Sequence, residues 1–383
     1  TSGTGGVPKG VMLSHGAILS NCGGAFDVLT QLELDDEVFL SFLPLSHSYE
    51  HTAGQFFPIS IGAQIYYAEK IETLGADMTE ARPTLMTAVP RLYESLYQRI
   101  TQGLAREGGL KEKLFNRALA LGVRTYEGRD PLNSLEQAVN CLLDVLVRRK
   151  VRERFGGRLK ALVSGGAPLN YQTGLFFTAL GLRLLQGYGQ TESAPVISCN
   201  PASDNRISTV GPALKGVTVK IADDGEILVK GELVMQGYWD DQKATAEVIR
   251  NGWLHTGDIG EMDEDGYIRI TDRKKDIIVN SGGDNISPQR IEGFLTLEPE
   301  IAQVMVHGDR RPHLVALIMP EKDLAGSPKA RNAVAGAVDR ANKELSQIER
   351  VRHFILAEEP FTVENGLMTP TMKIRRHKLR EIY

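Results

Sequence analysis

Hydrophobic and polar residues alternate in two different ways along the chain. From residue 37 to about residue 200, short apolar runs such as Val38–Leu43 and Thr84–Val89 alternate with amphipathic stretches. The four-residue spacing of apolar residues within Arg91–Arg106 predicts a helix, and the apolar runs predict buried strands. This alternation predicts an α/β fold with a mostly parallel sheet that is covered by helices.

After about residue 208 the apolar runs become shorter and turn signals more frequent. Asp224-Gly225 and Asp265-Gly266 each separate two strand-like runs, and Asp-Gly in this position is typical of a β-hairpin. From Lys275 onward, strand and helix patterns are mixed. We therefore predict an α/β part at residues 1–207, a β-rich subdomain of the same large domain at residues 208–274, and a small, mobile α+β C-terminal domain at residues 275–383.

Composition and charge exclude several classes of protein. The 383 residues include 44 Lys and Arg against 48 Asp and Glu, a net charge of −4, which argues against nucleic-acid binding because such proteins need a basic surface. Apolar runs such as Leu314–Met319 are far shorter than the ~20 residues of a membrane-spanning helix. The three cysteines form no Cys-x-x-Cys pair, so we expect neither a disulfide framework nor a thiolate zinc site, and we expect a cytoplasmic protein.

The sequence begins at Thr1, without a methionine, inside a glycine-rich segment. Functional loops are normally held by scaffold on both sides. We therefore expect that an N-terminal part of the protein precedes this segment, and that the 383 residues alone are poorly active or marginally stable.

The long helical region predicted at about residues 103–155 ends in a cluster of basic residues, namely Arg148, Arg149, Lys150, Arg152 and Arg154. A basic helix can lie on an anionic membrane surface, which would place the protein peripherally at the inner face of a membrane. A solvated helix face explains the same cluster without any partner. The sequence leaves both interpretations open, and it also leaves open a homodimer.

The segment Thr1–Gly10 contains the groups that bind a polyphosphate. Its glycines let backbone N–H groups approach phosphate oxygens closely, its hydroxyls add donors, and Lys9 supplies a positive charge. Pro8 and Gly10 flank the lysine, so the segment is not a Walker A loop, and its glycine spacing does not fit a dinucleotide-binding fold. On these residues alone, an ordinary surface turn is the alternative.

A second candidate site is the segment His47-Ser48-Tyr49-Glu50-His51, whose spacing matches an inverted zinc metalloprotease motif. On a helix, His47 and His51 would lie on one face and could share a zinc ion. The preceding Leu43–Ser46 is typical of a strand end followed by a turn, however, and this disfavours the zinc geometry.

Several segments, taken in order, resemble the motifs of the adenylate-forming superfamily, which contains acyl-CoA synthetases, luciferases and the adenylation domains of peptide synthetases. These segments are Thr1–Gly10, Ser164–Pro168, Gly187–Glu192, Gly252–Asp258, Asp272–Asp276 and Leu367–Lys373. Taken singly, each also fits a structural explanation, such as packing for Tyr188, a cap for Asp258 or a basic tail for Lys373. Their common order and spacing indicate the family.

The resemblance implies nucleotide contacts for residues that would surround the phosphates, the adenine and the ribose: Thr1, Ser2, Gly3, Thr4, Gly5, Gly6, Lys9, Gly165, Gly166, Ala167, Gln186, Gly187, Tyr188, Gly189, Asp258 and Arg273. Tyr188 would stack on the purine, and Asp258 and Arg273 would hold the ribose. Gly5 stands where the family usually carries Thr or Ser, so one hydroxyl donor to the phosphates is missing.

The resemblance also implies catalytic roles. Thr191 would bind the α-phosphate, Glu192 would hold Mg²⁺, and Lys373 of the small domain would stabilise the developing charge. Lys275 would be the hinge about which the small domain moves. His47 would gate the carboxylate site, with a purely structural histidine as the alternative.

Within the superfamily, the segments Leu43–Glu50 and Val89–Glu94 and the long helical insertion resemble long-chain fatty-acid–CoA ligases. This implies that ATP, with Mg²⁺, converts a long-chain fatty acid into an acyl-adenylate and pyrophosphate, after which coenzyme A displaces AMP. An acyl- or aryl-adenylating enzyme that loads a carrier-protein thiol is the nearest alternative. A non-catalytic nucleotide-binding remnant is the alternative of another class.

Overall fold

The computed structural model describes residues 9–128, 130–369 and 373–383. These residues form two compact units. The larger unit contains residues 10–256 and 260–270, and the smaller unit contains Lys9, residues 257–259 and residues 271–383. The domain limits that the sequence suggests at residues 207 and 274 stay predictions.

The strands of the larger unit, of which the last two continue into the smaller one, are β1 (Val11–Met12), β2 (Val38–Ser41), β3 (Gln64–Tyr67), β4 (Leu85–Ala88), β5 (Ala161–Ser164), β6 (Leu184–Gly189), β7 (Val196–Cys199), β8 (Thr218–Ile221), β9 (Glu226–Lys230), β10 (Gly237–Tyr238), β11 (Ile249–Arg250), β12 (Trp253–Met262) and β13 (Ile268–Arg273).

Its helices are α1 (His15–Leu29), α2 (Phe57–Ser60), α3 (Leu74–Ala81), α4 (Pro90–Glu107), α5 (Gly109–Glu127), α6 (Ser134–Leu143), α7 (Arg149–Arg154), α8 (Tyr171–Ala179) and α9 (Gln242–Val248). A π-helical segment, Glu50–Phe56, leads into α2, and a second one, Asp144–Arg148, joins α6 to α7. Among the described residues, no helix combines the length and the apolar character needed to cross a membrane.

A six-stranded sheet forms the centre of the larger unit, in the order β3-β2-β4-β5-β6-β7. The first five strands run parallel, and β7 is antiparallel to β6. On one face, Met86 and Leu162 pack in a cluster with Phe115 of α5 and Phe177 of α8. The other face is covered by α1 and α2. The prediction of a mostly parallel, helix-covered sheet is therefore confirmed.

The β-rich part that follows also agrees with the sequence pattern. The strands β11, β12, β9 and β8 form a sheet in this order, and β13 pairs with β12. Both Asp-Gly pairs lie in hairpin turns, between β8 and β9 and between β12 and β13. Gly225 and Gly266 each have a φ of +81°, which glycine adopts without strain.

The smaller unit is a separate α+β body. Its elements are β14 (Ile278–Val279), β15 (Asn285–Ile286), α10 (Pro288–Leu295), β16 (Ile301–His307), β17 (Leu314–Pro320), α11 (Ala330–Ala341), β18 (Val351–Leu356) and α12 (Arg376–Ile382). β17 lies between antiparallel β16 and parallel β18. Ile291, Ile318 and Val334 belong to the buried core that joins α10, the sheet and α11.

Candidate active site

The carboxyl ends of β5 and β6 carry two loops that the sequence assigns to nucleotide binding, the usual position for ligands in such sheets. After β5, Gly165 lies directly against the ring of Tyr49, because a Cβ at Gly165 would come within 2.9 Å of the tyrosine Cζ. The Tyr49 hydroxyl donates a 2.9 Å hydrogen bond to the Val163 carbonyl. Gly166 has a φ of +82°. Tyr49 therefore fixes the loop that contains Gly165, Gly166 and Ala167.

The loop after β6 is a tight turn that presents Thr191 and Glu192. Gly189 is required there because a Cβ at this position would lie 1.9 Å from the Pro195 carbonyl oxygen. The Gln190 N–H donates to that oxygen at 3.0 Å, and the buried Ser193 hydroxyl donates to it at 2.6 Å. The turn is therefore closed by hydrogen bonds among its own residues.

The segment after β2 meets this turn. The hydroxyl oxygens of Ser48 and Thr191 are 3.1 Å apart, within hydrogen-bond distance. His47 is half-buried, and its Nδ1 accepts a 3.3 Å bond from the Tyr49 N–H. The structure therefore brings the predicted carboxylate-gate segment next to the predicted phosphate-binding hydroxyl.

Glu192 is buried and accepts a 2.8 Å hydrogen bond at Oε1 from the Tyr238 hydroxyl. Burial and the neighbouring charge of Glu192 raise the pKa of Tyr238, so the phenol stays a donor. The Glu192 carbonyl accepts a 2.9 Å bond from the Met235 N–H. The carboxylate is therefore oriented by Tyr238, a residue that lies in none of the sequence motifs.

Gln186 and Tyr188 lie on β6 itself. Both are buried, and the Gln186 amide donates to the Ile207 carbonyl. Tyr188 is 8% exposed and belongs to an apolar cluster with Ala194 and Ile197. Gly187, between them, pairs with Cys199 of β7. The stacking of Tyr188 on adenine stays a prediction.

The smaller unit brings three predicted site residues together. The Arg273 Nε donates to Asp258 Oδ1 at 3.0 Å. The Lys373 ammonium lies within the electrostatic influence of Arg273, Asp258 and Asp276. Burial, together with the charge of Arg273, lowers the pKa of Lys373 to about 8. A half-buried amine beside Asp258 and Arg273, the predicted ribose-binding pair, suits contact with an anionic ligand.

Lys275, the predicted hinge, lies in an exposed turn between β13 and β14. The Ile277 N–H donates to the Arg273 carbonyl at 3.0 Å, which closes this turn. Lys9 is exposed. The predicted phosphate contacts Thr1, Ser2, Gly3, Thr4, Gly5 and Gly6 lie outside the described residues.

The zinc alternative is wrong for the described segment. His47 lies in a bend, and helical structure begins only at Ser48. Glu50 is fully buried, where it accepts hydrogen bonds from the hydroxyls of Ser41 and Thr87 at 2.5 and 2.6 Å. No cluster of three or more potential metal ligands from His, Cys, Asp and Glu occurs in the part of the chain that the structure describes.

Glu50 instead anchors the segment that contains Ser48 and Tyr49 to β2 and β4. Burial raises the pKa of Glu50 to about 7, although its hydroxyl donors oppose the shift. The folded state therefore holds this proton more tightly than the unfolded state does. Protonated Glu50 therefore stabilises the folded protein. This stabilisation is present in full below pH 4.5 and is lost as the pH rises toward 7.

We expect Glu50→Gln to flatten this pH dependence. Between pH 5 and pH 8 the wild-type protein should lose about 2.5 kcal/mol of unfolding free energy relative to the variant. Denaturant unfolding at both pH values measures the difference. Glu80→Gln, an exposed residue of α3, is the control and should follow the wild-type curve. Parallel curves for Glu50→Gln and wild type would contradict the expected shift.

Four residues that the sequence reasoning missed support the site, namely Ser48, Tyr49, Glu50 and Tyr238. The first three lie in the segment considered for zinc, so the sequence pointed to this segment. It did not indicate which residues they contact. Tyr238 is separated from Glu192 by 46 residues and belongs to no motif.

Comparison with known proteins identifies the class. Models of the AMP-binding enzyme family match residues 1–239, and models of the AMP-binding enzyme C-terminal domain match residues 275–383. The chain belongs to the AMP-binding enzyme family, which confirms the predicted adenylate-forming relationship.

Among curated proteins, the chain is 36% identical to the long-chain-fatty-acid–CoA ligase FadD15 of Mycobacterium bovis, over 100% of this chain and 66% of the relative. It is 34% identical to the peroxisomal long chain acyl-CoA synthetase 6 of Arabidopsis thaliana, over 100% of this chain and 59% of that protein. The chain therefore spans less than two thirds of the length of these relatives.

Among solved structures, the adenylation domain of a carboxylate reductase from Mycobacterium chelonae superposes with a TM-score of 0.75 at 25% identity, covering 100% of this chain and 58% of that one. ATP-bound MatB from Rhodopseudomonas palustris superposes with a TM-score of 0.71 at 25% identity, covering 100% of this chain and 67% of MatB.

Proposed function

We propose that the protein activates a long-chain fatty acid with ATP and transfers the acyl group to coenzyme A. The observation that carries the proposal is the grouping of Lys373, Asp258 and Arg273, which are distant in sequence. The relatives named as long-chain-fatty-acid–CoA ligases support the choice of acid and thiol.

In the first half-reaction, a carboxylate oxygen of the fatty acid attacks the α-phosphorus of ATP. The bond from this phosphorus to the bridging oxygen breaks, and pyrophosphate leaves with the electron pair. Because the carboxylate and the triphosphate repel each other, donors and cations must converge on the α-phosphate. Thr191 supplies a hydroxyl, and Lys373 supplies an ammonium.

In the second half-reaction, the thiolate sulfur of coenzyme A attacks the acyl carbonyl, and AMP leaves as the carbon–oxygen bond breaks. No ammonium is needed at the phosphate for this step. We propose that the smaller unit rotates about the exposed segment at Lys275 between the two half-reactions, which withdraws Lys373 from the phosphate. This division of labour makes the two half-reactions separately testable.

Glu192 fits a role in holding Mg²⁺. Its buried carboxylate is a hard oxygen ligand, and Mg²⁺ commonly binds one or two carboxylates together with substrate phosphates. When bound, the ion would neutralise charge on the phosphate oxygens. The chain's own contribution is to orient the carboxylate through the hydrogen bond from Tyr238.

Tyr238→Phe should raise the Mg²⁺ concentration required for half-maximal activity roughly tenfold, because a ligand without its orienting donor binds metal less tightly. A Mg²⁺ titration of ATP–pyrophosphate exchange measures the effect. Tyr267→Phe removes a comparable hydroxyl, which donates to the Asp204 carbonyl at 2.9 Å, and should leave the titration unchanged. Identical titrations for Tyr238→Phe and wild type would argue against Glu192 as the ligand.

The acid is apolar, and each buried CH₂ group adds about 0.8 kcal/mol to its binding. We therefore test fatty acids of graded length in ATP–pyrophosphate exchange, followed by thioester formation with coenzyme A or with a phosphopantetheinylated carrier protein. Exchange that increases with chain length and a thioester formed only with coenzyme A are expected. Exchange without any acid dependence would overturn the adenylation, and transfer only to the carrier would overturn the choice of thiol.

We also propose a cytoplasmic location, which is supported by three cysteines that are all free. Cys22 and Cys199 are buried, and Cys141 is exposed. Free thiols persist where the surroundings are reducing.

A further inference from the structure

An ion pair outside the motif-like segments anchors the part of the smaller unit that carries Lys373. Three residues after Lys373, at the start of α12, the Arg376 guanidinium reaches Glu292 of α10. It donates one hydrogen bond to Glu292 Oε1 at 2.7 Å and a second one to Oε2. The Arg376 and Glu292 side chains are 18% and 13% exposed. The pair is therefore bidentate and largely buried, and a contact of this geometry fixes direction as well as distance.

Glu292 is itself fixed to the sheet of the same unit. Its Oε1 also accepts a 2.6 Å hydrogen bond from the Val306 N–H of β16. Arg376 Nη1 donates to the Val306 carbonyl at 3.3 Å. Val306 and Ile291, the neighbour of Glu292, both belong to the buried core of this unit. The guanidinium of Arg376 is therefore held by α10 and β16 together, and the start of α12 cannot shift without breaking these bonds.

Backbone contacts fix the other end of the same short stretch. The Lys373 carbonyl accepts a 2.8 Å hydrogen bond from the Thr369 N–H, and the Lys373 N–H donates to the Thr369 hydroxyl at 3.1 Å. The Arg375 N–H donates to the Leu367 carbonyl at 2.8 Å. Thr369 and Leu367 are buried. The stretch from Lys373 to Arg376 is thus fixed by backbone bonds at one end and by the ion pair at the other.

The ion pair also balances the charges near Lys373. Asp272 and Asp276 lie within the electrostatic influence of Arg376. Asp276 in turn influences both Glu292 and Lys373. Because a buried cation without its partner is costly, we expect Arg376 to turn toward Asp272 or Asp276 when Glu292 loses its charge. Either movement pulls the start of α12 away from α10 and displaces Lys373.

We propose that Glu292 is a positioning residue, which acts through Arg376 to hold the Lys373 ammonium in its half-buried setting near Asp258 and Arg273. The placement of the amine is carried by the contacts within the smaller unit. Its consequence, that Glu292 supports adenylation and not thioester formation, rests on the proposed function.

Amine acetylation without ATP or fatty acid tests the placement of Lys373. Rates read by mass spectrometry across a pH series give a midpoint, which is expected near pH 8 in the wild type because burial and the charge of Arg273 lower the pKa of Lys373 to about 8. Glu292→Gln should raise this midpoint by about one pH unit, since a displaced ammonium is better hydrated. A residue that only stabilises the fold would not move the midpoint.

The half-reactions test the consequence. Glu292→Gln should slow ATP–pyrophosphate exchange by about 10–10²-fold, the cost of a misplaced reacting group. Thioester formation from supplied acyl-AMP should stay within about twofold of the wild-type rate, because Lys373 is not needed at the phosphate in that step.

Glu349→Gln is the matched control. Glu349 is 14% exposed and accepts a 2.9 Å hydrogen bond from Arg290, which also belongs to α10. The substitution therefore removes a similar charge from a second ion pair of the same helix. It should leave the midpoint and both half-reaction rates unchanged.

A second variant covers the case in which Glu292→Gln does not fold. Glu292→Gln combined with Arg376→Met removes both charges, so no buried charge is left without a partner, and the glutamine oxygen can still accept the Val306 N–H. It should show the same rise in midpoint and the same selective loss of exchange. Circular dichroism verifies the fold of each variant.

A midpoint that stays near pH 8 in either folded variant would overturn the proposal, and so would equal losses in the two half-reactions. A wild-type protein without fatty-acid-dependent exchange would overturn the proposed function instead. The midpoint, which is measured without substrate, would then decide the positioning role of Glu292 by itself.

Discussion

Lys373→Ala should slow acyl-adenylate formation by about 10²–10³-fold, the usual effect of removing a preorganised charge from a reacting oxyanion. The ammonium is half-buried, and Asp258, Arg273 and Asp276 are its charged neighbours. In such surroundings a charge acts more strongly than in water. The loss therefore belongs to the step in which negative charge accumulates on the α-phosphate.

The measurement separates the two half-reactions. ATP–pyrophosphate exchange reports the first, and thioester formation from supplied acyl-AMP reports the second, which should keep a rate within about twofold of wild type. Lys322→Ala, an exposed lysine of the same unit, should leave both rates unchanged. Equal losses in both half-reactions would show that Lys373 acts through the fold rather than on the first step.

Gly189→Ala should cost about 2–4 kcal/mol of unfolding free energy and weaken ATP binding more than tenfold. The added methyl would lie 1.9 Å from the Pro195 oxygen and 2.9 Å from the Val196 Cα, both backbone atoms that a side-chain rotation cannot relieve. The turn that presents Thr191 and Glu192 must therefore open.

Gly23→Ala is the matched control for this substitution. Gly23 lies in α1, and its added methyl would have no neighbour within 4 Å. A glycine-to-alanine change in a helix should raise stability by about 0.5–1 kcal/mol. Calorimetry and nucleotide titration compare the two variants. Wild-type ATP affinity in Gly189→Ala would show that this turn does not contact the nucleotide.

Much of the fold could be predicted because continuous apolar runs leave few alternatives to buried parallel strands. The predicted strand at Val38–Leu43 corresponds to β2, and the predicted helix at Arg91–Arg106 corresponds to α4. The long helical insertion is interrupted where Gly108 and Gly109 adopt positive φ. The two π-helical segments were not predicted. A π-helical turn contains one extra residue, and this barely changes the spacing of apolar residues along the sequence.

The candidate site was predictable only where consecutive residues share one loop. Thr191, Glu192 and Lys373 could be named as candidates because each lies in a short segment that resembles a motif of the family. The contact from Tyr238 to Glu192 and that from Ser48 to Thr191 depend on the fold, which brings distant loops together. Side-chain pairs of this kind have no local signature in a single sequence.

We propose that Lys373 of the smaller unit contacts the nucleotide during adenylation. Amine acetylation at pH 8, read by mass spectrometry, measures it directly, because the pKa of Lys373 is lowered to about 8. With ATP, Mg²⁺ and a fatty acid bound, acetylation of Lys373 should slow at least tenfold while that of Lys322 stays constant. An unchanged rate at Lys373, with nucleotide binding verified by titration, would contradict the claim.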